Sequence, residues 1–159
     1  MEKIRVARDK AVKNIQYADH LLTQTYPAVK DPKLLLAVLE NMFLALTSSM
    51  AAILHYERYN GTIPPFQDTF DSKFNMLKLK VAANHKITNE ELNLILEVKN
   101  LVSAHKQSPV EFAKKDAFVI CSDKYNLKTI YFDQMKKFLL QSKELIHKMN
   151  QITLSGVDK

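Results

Sequence analysis

The chain has 159 residues, a length that one domain accounts for, and it is nearly half hydrophobic and a quarter charged, enough to bury a core of its own. Two glycines, five prolines and no tryptophan argue against glycine-rich nucleotide loops and turn-dense β-sandwiches, and a single cysteine excludes an intramolecular disulfide or a Cys-based zinc site. The net charge of +6 is unevenly placed: residues 1–98 carry twelve Lys/Arg against eleven Asp/Glu, whereas residues 99–148 carry ten Lys against five acids.

Met1–Lys13 alternates charged and apolar residues, which is not the pattern of a signal peptide, so the cytoplasm is the expected location. Ile4, Ala7, Ala11, Ile15, Ala18 and Leu22 step by three and four, which predicts an amphipathic helix over Glu2–Tyr26 ended by Pro27. Asp31-Pro32 supplies a cap and a first-turn proline for a second helix, Pro32 to about Tyr59, with Gly61 just beyond its end. Leu34–Leu54 approaches membrane-spanning length, but Glu40 and Asn41 interrupt it and Thr47, Ser48 and Ser49 follow, so a buried central helix is expected. Its apolar circumference exceeds what a small bundle readily covers, which predicts a homodimer with this helix at the seam.

Asn60–Gln67 reads as a loop, after which Asp68 or Asp71 is expected to cap a third helix carrying Phe70, Phe74, Leu77 and Val81. Thr88-Asn89-Glu90-Glu91 fits a capping box, and the fourth helix it opens should stop near His105–Gln107, because Pro109 disfavours helical geometry at Ser108. Phe118–Cys121 and Leu127–Tyr131 are β-branched and aromatic runs around a polar segment that includes Tyr125, the signature of a short hairpin. Asp133 then caps a last helix, and residues 151–159 are expected to form a flexible tail. The fold class is therefore all-α: about five main helices in an up-down bundle, a small β-hairpin before the last helix, and one domain over residues 1–150.

Few residues suit catalysis. Glu144 and His147 make one Glu-x-x-His where a di-iron bundle needs two, Cys121 reads as a small buried apolar residue, and no metal or other cofactor is expected. The informative segment is Lys99-Asn100-Leu101-Val102-Ser103-Ala104-His105, set at a helix end and followed by Ser108-Pro109, Lys114-Lys115-Asp116, the hairpin and a final helix. Here the chain resembles the HEPN (higher eukaryote and prokaryote nucleotide-binding) superfamily, small helical proteins often encoded beside nucleotidyltransferases. The family's mark is an Arg followed, after four to six residues, by a His, often with a polar residue directly after the Arg. In this chain five residues intervene and Asn100 fills the polar position, but Lys99 stands where the family has Arg.

The resemblance implies two competing functions. One is a non-enzymatic dimeric module that binds a protein or nucleic-acid partner within a toxin–antitoxin-type pair, a nucleotidyltransferase-type protein being one such partner. The other is a metal-independent endoribonuclease in which His105 moves a proton, Lys99 holds phosphate and Asn100 assists. The non-enzymatic module leads, because lysine lacks the planar fork of arginine. Residues six apart on a helix also stand roughly 120° apart, so Lys99 and His105 would not share a face. His105 instead continues the apolar stripe of Val98, Leu101 and Val102, as a packed histidine would. For RNA, the expected basic surface is Lys106, Lys114, Lys115, Lys124 and Lys128.

Overall fold

The computed structural model describes residues 1–108, 110–121 and 126–157, with nothing to be said of the side chains of residues 156 and 157. The elements in chain order are α1 (Glu2–His20), a π-helical turn (Leu21–Thr25), α2 (Tyr26–Val29), α3 (Lys33–Tyr59), α4 (Phe70–Met76), a second π turn (Leu77–Val81) and a 3-10 turn (Ala83–His85). Then come α5 (Asn89–Gln107), strands β1 (Val110–Lys114), β2 (Ala117–Cys121) and β3 (Leu127–Tyr131), and α6 (Phe132–Val157). The protein is mostly helical, with a small antiparallel sheet of order β1-β2-β3 before the last helix.

Helix α3 is the element the others cover. Leu35, Val38, Leu39, Met42, Leu46, Met50, Ile53 and Leu54 are fully buried, and α1, α5 and α6 all pack against it. It is long and apolar enough to cross a membrane by composition, yet half of its most apolar window is buried inside the fold. Helices α1, α5 and α6 thus supply part of the cover that its apolar circumference demands, and Leu44 on the same helix stays 42 % exposed. Close helix approach is helped by the small residues Ala45, Ser49 and Ala52, all buried. Ser49 and Asn150 meet at 3.4 Å between α3 and α6, and both are buried.

Several boundaries differ from the sequence expectation. Pro27 does not end the first helical stretch: it sits in the first turn of α2, where no intrahelical N–H is required, and the helix ends at Lys30 in left-handed geometry. The third helix is capped by Thr69 rather than by Asp68 or Asp71, its hydroxyl accepting from the Ser72 N–H at 3.2 Å. Asp31 does serve the start of α3, accepting from the Lys33 N–H at 3.0 Å. The capping box at Thr88 and Glu91 is complete, with both reciprocal bonds formed.

The hairpin makes two strands of a three-stranded sheet. Strand β1 pairs with β2 from Val110↔Cys121 to Lys114↔Ala117, an element that the sequence pattern had not suggested. Residues 151–157, expected as a flexible tail, continue α6 instead, because Ile152 packs on the core and Thr153 is fully buried. At the other end of α6, the Phe132 N–H donates to the Asp116 carbonyl oxygen at 3.0 Å, while Asp133 lies in the first turn.

Candidate functional site

The segment singled out in the sequence closes α5, and Lys99, Asn100 and His105 point in three directions. Lys99 places its Nζ 5.5 Å from the centroid of the Phe70 ring of α4, a cation–π contact. Asn100 is exposed and lines a cleft of about 220 Å³ with Lys128 of β3 and Gln134 and Phe138 of α6. His105 turns towards α3 and β1. Among the described residues, no hydrogen bond or ion pair joins His105 to Lys99 or Asn100.

Both ring nitrogens of His105 meet carboxylates. Nδ1 lies 2.7 Å from Glu111 Oε1 and Nε2 lies 3.3 Å from Glu40 Oε1. The local sequence explains the first contact. Ser108 leaves the helix in extended geometry, the chain doubles back into β1, and strand alternation sets Glu111 on the helix-facing side of the sheet in register with Ile120. Glu40, which interrupted the apolar run of α3, supplies the second. A neutral imidazole donates from one nitrogen only, so both contacts act as hydrogen bonds when the ring carries both protons. This arrangement ties together α3, α5 and β1 at one half-exposed point.

The described lysines of the expected basic surface have different neighbours. Lys114 sets its Nζ 5.9 Å from the Phe112 ring centroid. Lys115 and Lys114 border a hollow of about 370 Å³ that Lys30 and Asp116 also line. Lys106 is exposed on the last turn of α5, and Lys128 belongs to the Asn100 cleft. Lys124 and Tyr125 lie outside the described residues.

Strand parity separates two faces of the sheet. Phe118, Ile120 and Ile130 join the hydrophobic core. The opposite face, by register, runs in three rows: Val110–Cys121–Leu127, Phe112–Val119–Thr129 and Lys114–Ala117–Tyr131. Its edges are open, with Phe112 43 % and Tyr131 55 % exposed and Val110 and Leu127 more so, while Val119 at its centre is buried. This face was missed in the sequence because β1 was missed. The alternation Val110-Glu111-Phe112 was the available signal.

Tyr26 and Asp116 fasten the β1–β2 turn to the helices. The Tyr26 hydroxyl donates to Asp116 Oδ1 at 2.6 Å. Burial, and then the Asp116 carboxylate, push the Tyr26 pKa up to about 12. Its ring stacks on Phe132 with centroids 4.8 Å apart. Asp116 itself sits in the left-handed region at φ 54°, which Asp tolerates better than most residues.

Elsewhere, Glu57 is buried on α3, and its two carboxylate oxygens contact His85 Nε2 and the Thr62 hydroxyl. No group of three or more His, Cys, Asp or Glu side chains able to hold a metal occurs among the described residues. No protein-family model matches the chain, and neither a curated protein nor a solved structure does.

Proposed function

We propose that the protein is a non-enzymatic, HEPN-like helical bundle that binds single-stranded RNA on the outer face of its sheet. The observation that carries this reading is the pair of exposed aromatics on that face, Phe112 and Tyr131, with the Lys114 ammonium over Phe112. Aromatic rings on a sheet take stacked bases, and lysines beside them take the phosphates. The net charge of +6 draws a polyanion to the molecule as a whole.

The ribonuclease alternative asks His105 to present a ring nitrogen to a ribose hydroxyl and Lys99 to hold the adjacent phosphate. Carboxylates at both His105 nitrogens, and Lys99 over Phe70 on another side of α5, favour binding over cleavage. Three further elements belong to the proposal: a cytoplasmic setting, from the N-terminal residue pattern; a homodimer, from the apolar circumference of α3; and, from the resemblance, a nucleotidyltransferase-type partner within a toxin–antitoxin-type pair. Sedimentation equilibrium reads the dimer directly, as twice the chain mass.

The binding test is fluorescence anisotropy with a labelled single-stranded RNA. Replacing Phe112 and Tyr131 together by Ala should weaken binding by about 2 kcal/mol or more, since each base–aromatic stack contributes ~1–3 kcal/mol. Lys114→Glu with Lys115→Glu should lower the salt slope by about one unit for each phosphate that is no longer neutralised. Equal affinity in the aromatic double variant would remove RNA from this face and leave it to a protein partner.

A further inference from the structure

A trough lies where α1, α3 and the segment around α4 diverge, on the other half of α3 from His105. Thr47 and His55 lie seven and fifteen positions beyond Glu40 on that helix, roughly 10 and 22 Å at 1.5 Å per residue, and no lining residue of the trough belongs to the sheet that carries the RNA face proposed above. Its floor is made by small side chains, Ala7 of α1 and Thr47, Ser48 and Ala51 of α3, which leave a volume of about 470 Å³. It continues past His55 into a second hollow of about 430 Å³ bounded by Arg58, Pro65 and Phe66.

The charges around it are unbalanced in a specific way. Of the two acids on the rim, Glu2 is bound to Arg5 at 2.6 Å and Asp68 is bound to Lys73. Lys3, Lys10 and Arg58 border the space and have no ion pair among the described residues. His55 and Phe66 form a ring pair in the second hollow, with centroids 5.6 Å apart. Burial, reinforced by Lys3 and Lys73, holds the His55 imidazole below its ordinary value, whereas Asp68 acts in the opposite sense.

We propose that this trough binds a small phosphomonoester bearing a planar ring, its phosphate taken by Lys3 and Lys10 and its ring set against Phe66 and His55. The chemistry follows from the parts. Two unpaired ammonium groups and the Ser48 hydroxyl suit a compact dianion with several acceptor oxygens, whereas the Thr47 hydroxyl donates to the Phe43 carbonyl oxygen at 2.9 Å and only lines the floor. A phosphate alone would leave the Phe66–His55 end unfilled, and the combined space falls within the ~300–1,000 Å³ usual for small-molecule sites.

Calorimetric titration of the full chain should show saturable binding of phenyl phosphate, roughly five- to tenfold tighter than inorganic phosphate. Lys3→Glu with Lys10→Glu, both at exposed positions, should weaken both ligands by about tenfold or more. Phe66→Ala should erase the advantage of the phenyl ester and spare inorganic phosphate. Vesicles containing phosphatidic acid separate a lipid headgroup from a soluble ligand, and binding confined to them overturns the proposal. A folded Lys3→Glu/Lys10→Glu protein with wild-type affinity overturns it too. On the wild-type protein, the His55 ring resonances should titrate at higher pH in saturating sulfate, whose charge is constant over that range. No movement of the His55 titration places the anion elsewhere.

Discussion

One histidine precedes α5 and another lies in its last turn, and each is met by a glutamate of α3, but the two meetings are unlike. His85, before α5 begins, contacts Glu57, whose side chain is 9 % exposed and whose other oxygen takes the Thr62 hydroxyl. His105, in the last turn of α5, contacts Glu40, whose side chain is 49 % exposed, and Glu111 of the sheet. The first carboxylate has exchanged water for protein partners and has no alternative to them. The second retains water as a competitor. The same residue pair thus locks the fold at one end of α3 and leaves an adjustable joint at the other.

The sharpest way to break this comparison is to remove one member of the buried pair. His85→Ala should destabilise the protein by about 3 kcal/mol, because it leaves the Glu57 carboxylate buried beside one hydroxyl. Chemical denaturation measures it, and a change near zero would show that Glu57 is solvated in the folded state. His105→Ala should cost about 1 kcal/mol or less, the range for partly exposed pairs. A cost as large as that of His85→Ala would erase the distinction between the two ends.

His105→Ala, with Lys99→Arg beside it, also tests the functional reading. Wild type, Lys99→Arg and His105→Ala should all leave single-stranded RNA intact in EDTA. Cleavage by wild type that disappears in His105→Ala would restore the ribonuclease alternative. The smallest effect concerns His55. Its folded-state pKa is lowered below the ordinary 6.5, chiefly by burial. The unfolded chain therefore binds its proton first, and stability should decline as pH falls below 6.5. His55→Gln should flatten that decline in melting temperature, and an unchanged pH profile would assign it to other groups.

Much of the fold was legible in the residues. The Thr88–Glu91 box, the Pro109 stop and the apolar run of α3 act through local geometry and hydrophobic pattern, which sequence states directly. Strand β1 left only a short signal, the alternation Val110-Glu111-Phe112 that breaks at Ala113-Lys114, because its pairing with β2 is supplied by a neighbour rather than by its own composition. The helical continuation past Asn150 likewise depends on burial of Thr153, which no propensity encodes. At the candidate site, the 120° separation of Lys99 and His105 could be calculated, and the structure places them on different sides of α5. Glu40 and Glu111 could not be paired with His105 in advance, since they come from a helix and a strand far apart in the chain. His55 and Phe66 were visible as residues but not as neighbours across a trough.

The Tyr26–Asp116 bond has a consequence for how the chain is made. Its members are 90 residues apart. At a synthesis rate of ~5–20 residues per second, Tyr26 is added to the chain roughly 5–20 s before its acceptor exists. Phe132, on which the same ring stacks, follows later still. The first helices can form in that interval, but the sheet cannot be seated on them until the final third of the chain arrives. The outer face of the sheet therefore takes shape only in the last stage of translation, together with α6.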